Sequence, residues 1–183
     1  IARDAKEILI WRKRIQPYPL REIKLPFSCF LKLHAAYDIR EINAALRQNS
    51  LKTPGQTGVG VLHNSELKVY AHLVTFRKVE KDFTPTTLYK DYPISLVQLH
   101  WESQSTATQS TPTGQNYIHF KKRGYTILFF ARLEKQIDGV AAPFVYLGPT
   151  SQLLSYEGNR PIRMVWELEY PMPAALFEEA RPS

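Results

Sequence analysis

Between Phe83 and Gly124 the chain sets Tyr89, Tyr92, His100, Trp101 and Tyr117 among neutral hydrogen-bonding side chains: Ser103, Gln104, Ser105, Thr113, Gln115 and Asn116. It then closes on the cationic run Lys121-Lys122-Arg123. Rings can stack on a nucleobase, amides and hydroxyls can address its edge, and cations can hold phosphate. The same residues have plainer readings. A Trp that follows an apolar strand packs in a core or at its rim, and loop tyrosines cover core edges. The turn Glu157-Gly158-Asn159-Arg160-Pro161 offers one more cation, Arg160, as a phosphate contact or a solvated charge.

No catalytic constellation competes with this segment. The chain has no G-x-S-x-G elbow, no H-E-x-x-H and no G-x-x-x-x-G-K-[ST] phosphate loop. His34, His63, His72, His100 and His119 are not paired at metal-ligand spacing, so no metal or other cofactor is predicted. His72 reads as part of a strand, and Gly55, Gly58 and Gly60 read as turn glycines. Cys29 is the single cysteine, which rules out an intrachain disulfide and reads as a small buried hydrophobe. A reducing, cytoplasmic setting is expected.

The elements that must position these residues are mostly strands. Val59–Leu62 and Leu67–Phe76 flank the turn-prone His63-Asn64-Ser65 and predict a hairpin. Ile94–Trp101, Tyr125–Leu133, Phe144–Leu147 and Ile162–Tyr170 add further strands, with Tyr125–Leu133 the most apolar. Asp38 three residues before Glu41 predicts a capped amphipathic helix over 38–48. A second helix is predicted from a Thr113 cap to Gly124. Residues 4–15 predict a basic helix leading in, and Ser103–Thr113 an exposed polar loop. Several short strands with few helices predict an α+β fold, a mainly antiparallel β-barrel or pseudobarrel with flanking helices.

The 183 residues suit one domain, and 44% hydrophobic against 22% charged residues supports a real core. Lys and Arg number 24 against 17 Asp and Glu, an excess that attracts phosphate without proving that any is bound. The excess is uneven: residues 1–24 hold seven basic and three acidic side chains, residues 157–183 three and five. No apolar run approaches the roughly 20 residues that span a bilayer, so no membrane partner is predicted. A chain that starts at Ile1 is expected to be a piece of a longer protein.

Several motifs occur in a fixed order: F-T-P-T-T-L-Y-K-D-Y, L-H-W-E-S-Q-S, P-T-G-Q-N-Y, Y-L-G-P, E-G-N-R-P-I and W-E-L with P-M-P after it. Together, from about Leu31 to Pro173, they resemble a domain of unknown function at the C-terminus of bacterial superfamily 2 helicase-like proteins. Many of those carry a phospholipase-D-type nuclease and act as ATP-dependent, modification-dependent (type IV) restriction endonucleases. The resemblance implies a PUA/SRA-like fold and a non-catalytic target-reading domain that binds double-stranded DNA carrying 5-methylcytosine. It implies a connecting segment over 1–30, a recognition domain over 31–175 and a tail over 176–183, with helicase and nuclease upstream.

A reader that flips a base needs rings to sandwich it, neutral groups for its edge and an apolar patch for a methyl. On that premise Tyr89, Tyr92 and Trp101 are the candidate rings, and Asp91, Ser103, Gln104 and Gln115 the candidate edge readers. Asp91 is the sharpest of these, since a carboxylate accepts from the cytosine amino group. Lys121, Lys122, Arg123 and Arg160 are the phosphate candidates. Two other functions stay open: a module coupling helicase to nuclease with charge-driven DNA contact, and an RNA-binding PUA-like domain.

Overall fold

Period-two alternation along the central strands divides the protein into two cores on opposite faces of one sheet. The computed structural model describes residues 18–47, 60–77 and 90–182; the basic helix expected over 4–15 and Tyr89 lie outside them. The strands are β1 (Arg21–Glu22), β2 (Lys32–Leu33), β3 (Ala36–Tyr37), β4 (Val61–Asn64), β5 (Val69–Thr75) and β6 (Tyr92–Pro93). They continue with β7 (Gln98–Glu102), β8 (Thr126–Arg132), β9 (Gln136–Ile137), β10 (Val140–Ala141), β11 (Phe144–Gly158) and β12 (Ile162–Leu168). Three short helices are described: α1 (Ile39–Ala45), α2 (Pro112–Ile118) and α3 (Ala174–Ala180).

The main sheet runs β4-β5-β8-β11-β12-β7-β6, with β3 also paired to β11. The fold is α+β and mostly antiparallel, as the alternation of strands and turns predicts. One pair departs from that pattern: β5 and β8 are parallel, from Val69 opposite Thr126 to Thr75 opposite Arg132. A parallel pair needs a long crossover, and β6, β7 and α2 are built within it.

Along β5, Tyr70 and Val74 enter one core while Val69, Ala71 and Leu73 enter the other. Along β8, Ile127 and Phe129 part from Leu128 and Phe130 in the same way. Ile42, Ala45 and Leu46 of α1 and its C-cap close the second core, against which Ile23, Leu25, Phe27 and Cys29 also pack. The first core is enclosed by the sheet curling on itself, with Tyr117 of α2, Phe120 and Leu176 of α3 packed into it. In a flat sheet β5 and β7, four steps apart, would lie about 19 Å from each other. Their His72 and Trp101 rings stack at 3.9 Å, so the sheet curls into a half-barrel. Register shifts in β11, at Tyr146/Gly148, Thr150/Gln152 and Leu153/Ser155, supply the bending. Gly148 sits there at φ +89°, where a Cβ would lie 2.9 Å from Leu33.

Local expectations meet mixed outcomes. The Asp38–Glu41 capping box is present, and the hairpin closes as β4–β5. The helix before Gly124 is capped by Thr111, not Thr113, because Pro112 fits the first helical turn and Thr111 takes the Gly114 amide. Ile94–Val97 turns back through Ile94 N–H to Gln98 O, so that strand begins only at Gln98. The strand read as Phe144–Leu147 runs on to Gly158. The Ser103–Thr113 loop is not an exposed one throughout, since Ser103, Ala107 and Thr108 are buried.

Candidate nucleic-acid interface

A cleft of about 220 Å³ opens between the β4–β5 hairpin, the Ser103–Thr111 loop and α2. The hairpin is set by Asn64, whose side-chain oxygen accepts from the amides of Glu66 (2.9 Å) and Leu67 (3.0 Å). That turn puts His63 directly opposite Tyr70. The two rings stack at 4.1 Å and 7° and form one wall. Tyr117 of α2 meets Tyr70 edge-on at 5.0 Å and forms another. Val61 and Ala107 are the apolar lining, and Gln104, Thr106 and Thr113 the polar one.

None of these groups carries charge at neutral pH. Burial lowers the His63 imidazole pKa and raises those of the Tyr70 and Tyr117 phenols, so all three are neutral rings. Beneath Tyr117 lies His72, fully buried and stacked on Trp101. Burial pushes its imidazole down to about 3.

Cations gather outside the cleft. Gly124, at φ +73°, ends the turns that follow α2 and leaves Lys121, Lys122 and Arg123 exposed. Lys68 joins them, its ammonium donating to Arg123 O at 3.3 Å. Arg123 reaches back to Asn116 Oδ1 (2.8 Å), and Asn116 Nδ2 donates to Tyr70 Oη (2.9 Å). Lys121 and Lys122 line a second depression with Phe120, Gln152 and Leu153. Arg160 is exposed in the β11–β12 turn, whose Asn159 Oδ1 and Gly158 O accept from Gln109 of the cleft loop.

Of the predicted base-pocket residues that are described, only Gln104 lines the cleft. Its Oε1 accepts from Tyr117 Oη at 3.3 Å. Trp101 lies in the core behind it, 3% exposed. Ser103 is a buried staple: its hydroxyl donates to Ala107 O (3.0 Å) and accepts from the Ile162 amide (3.0 Å). Gln115 donates to Gln109 O at 2.7 Å and so holds the loop on α2. Asp91 is buried at the sheet edge with Oδ1 on the Glu102 amide (3.0 Å), and Tyr92 stacks on His100 there at 4.6 Å.

The structure therefore does not gather Asp91, Tyr92 and Trp101 with Gln104. It supplies His63, Tyr70 and Tyr117 in their place. The hairpin itself was legible, but a turn read at His63-Asn64-Ser65 took His63 off the strand; β4 runs on to Asn64 and so pairs position 63 with position 70. The α2 contact carried no local signal.

Residues 31–180 match the model of a family described as Domain of unknown function (DUF3427). No curated protein matches the chain.

Proposed function

The chain belongs to the DUF3427 family, and we propose that it is the DNA target-recognition domain of an ATP-dependent, modification-dependent restriction endonuclease. On this reading its fold is PUA/SRA-like and the cleft takes 5-methylcytosine from duplex DNA. The observation that carries the proposal is an uncharged, ring-walled cleft set beside cations. A charged phosphate is poorly suited to the neutral lining, whereas a planar base is well suited to the His63–Tyr70 wall. Val61 and Ala107 provide apolar surface for a methyl group, and Gln104, Thr106 and Thr113 provide edge contacts. Lys68, Lys121, Lys122, Arg123 and Arg160 hold the phosphates. Helicase and nuclease domains upstream in the same polypeptide supply the motor and the cut.

The test compares duplexes of one sequence pool, amplified with either cytosine or 5-methylcytosine, across a salt series. Binding to both falls as salt rises, because phosphate contacts release counterions. The modified pool is expected to bind more tightly at every salt concentration. Equal affinity for the two pools throughout overturns the reading.

One observation favours a second reading, a module that couples helicase to nuclease. The β9–β10 hairpin exposes Ile137 (41%) and Val140 (60%) at the end of β8 away from Arg123. Such a tip suits a protein partner. Salt-dependent binding with no preference between the pools is the outcome this reading expects.

A further inference from the structure

Tyr70 is 3% exposed and lines the cleft, so its hydroxyl proton meets an acceptor either inside the protein or held in the cleft. Its neighbours settle which way the bonds run. A guanidinium has donors only, so the Asn116 atom 2.8 Å from Arg123 Nη1 is the amide oxygen. The Asn116 NH₂ then faces Tyr70 and donates to Oη at 2.9 Å. Tyr70 Oη is the acceptor in that bond, and its own proton points elsewhere. Thr113, the other polar group beside that oxygen, is a hydroxyl rotor that serves either direction. Gln104 repeats the pattern: its Oε1 accepts from Tyr117, which leaves its NH₂ as donor. Both Tyr70 and Gln104 line the cleft.

From this chain we infer that Tyr70 is a specificity-determining donor, oriented by Arg123 through Asn116, and that the cleft selects a pyrimidine whose ring N3 is an acceptor. The inference rests on the DNA-reading proposal and adds the chemistry of the selection. Cytosine carries an unprotonated N3 beside its O2 carbonyl, two adjacent acceptors. Thymine and uracil carry N3–H at the same place, and a donor facing a donor leaves both unpaired in a site closed to water. The cleft therefore rejects thymine by hydrogen-bond direction and unmodified cytosine by the missing methyl contact, so that unmodified duplex is held through its phosphates alone. Arg123 is a positioning residue here, because it acts on the base only through Asn116. Accepting from Asn116 also strengthens Tyr70 as a donor, since hydrogen bonds in a chain polarise one another.

Two substitutions test this in the 183-residue chain. Tyr70→Phe keeps the stack on His63 and removes the donor. Asn116→Asp keeps size and the Arg123 contact but offers only acceptors, so Tyr70 must turn its proton toward residue 116 and present a lone pair to the cleft. The probes are the cytosine and 5-methylcytosine pools, with thermal unfolding as the control for folding. Each variant is expected to lose roughly ten- to hundredfold in affinity for the modified pool, the loss of one or two buried hydrogen bonds. For Tyr70→Phe, affinity for the unmodified pool and the slope of affinity against salt are expected to stay unchanged; for Asn116→Asp, whose added carboxylate neutralises Arg123, both pools also weaken alike and the slope falls by about one. Either variant folding normally with the wild-type preference intact overturns the inference and leaves the DNA-reading proposal standing. Absence of a preference in the parent chain overturns both.

Discussion

Both ring nitrogens of His72 are buried without a hydrogen-bond partner among the described residues, and burial alone sets the acidity of the ring. The sign of the effect follows from its two pKa values. The unfolded imidazole gains a proton below about pH 6.5, whereas the folded one resists it down to about 3. Stability therefore falls as pH drops through that window, by about 1.4 kcal/mol per unit. His72→Phe keeps a flat ring against Trp101 and removes the titration. In urea unfolding at pH 7 and pH 4.5, the variant is expected to lose about 2–3 kcal/mol less than the parent between the two pH values. Parallel losses would show that His72 is not the group responsible. The residue types alone pointed to a core histidine, since an isolated His inside a strand has no metal partner to meet. They did not reveal its stack on Trp101, because that contact joins positions 29 apart in sequence and four strands apart in the sheet.

Helix α2 and the loop before it act as one element. Gly114 lets them touch: a Cβ there would fall 1.9 Å from Thr108 O and 3.2 Å from Ile162 Cδ1. The Gln115–Gln109 bond and the Ser103 staple hold the loop in the same place. Gly114→Ala must push Thr108 away, and such overpacking costs typically 1–3 kcal/mol. The displaced segment includes Thr106 and Ala107 of the cleft lining. The variant is therefore expected to show a lower unfolding midpoint and a weakened preference for modified DNA, measured by urea titration and pool binding. Unchanged stability would mean that the loop is not clamped on α2. Element by element, strong local grammar was legible. Asp38 and Glu41 are three residues apart and cap α1 reciprocally, and Asn64 closes the hairpin. The reading failed where two local signals compete within one turn. Thr111 and Thr113 both qualify as caps, and Pro112 decides for Thr111 because its ring is tolerated only in the first turn.

At the scale of the whole molecule, the curled sheet brings the post-α2 turns, the β4–β5 turn and the β11 side of the second depression to one region. Lys68, Lys121, Lys122 and Arg123 come from two stretches 53 positions apart, and only the fold makes them neighbours. The double variant Lys121→Gln/Lys122→Gln removes two cations that lie outside the cleft. It is expected to weaken binding to modified and unmodified pools alike and to reduce the slope of log affinity against log salt by about two. The ratio between the pools should stay as in the parent. A slope that does not change would place the DNA backbone elsewhere on the surface. Among the described residues no helix is long and apolar enough to cross a membrane.

The sequence by itself determined the fold class, most strands, the α1 cap and a segment rich in rings, amides and cations, because each depends on residues within one turn or one strand of each other. Motif order also pointed to a domain of unknown function, and residues 31–180 match one. Tertiary structure alone decided which rings line the cleft. Trp101 and Ser103 belong to the core and its staples, while His63 and Tyr70, from a hairpin far from the motif segment, wall the cleft. The physical reason is the curl of the sheet: it buries one face of β7 against β5 and leaves the hairpin beside α2. Side-chain chemistry is written locally, but whether a ring packs or stacks on a ligand depends on which strand folds over it.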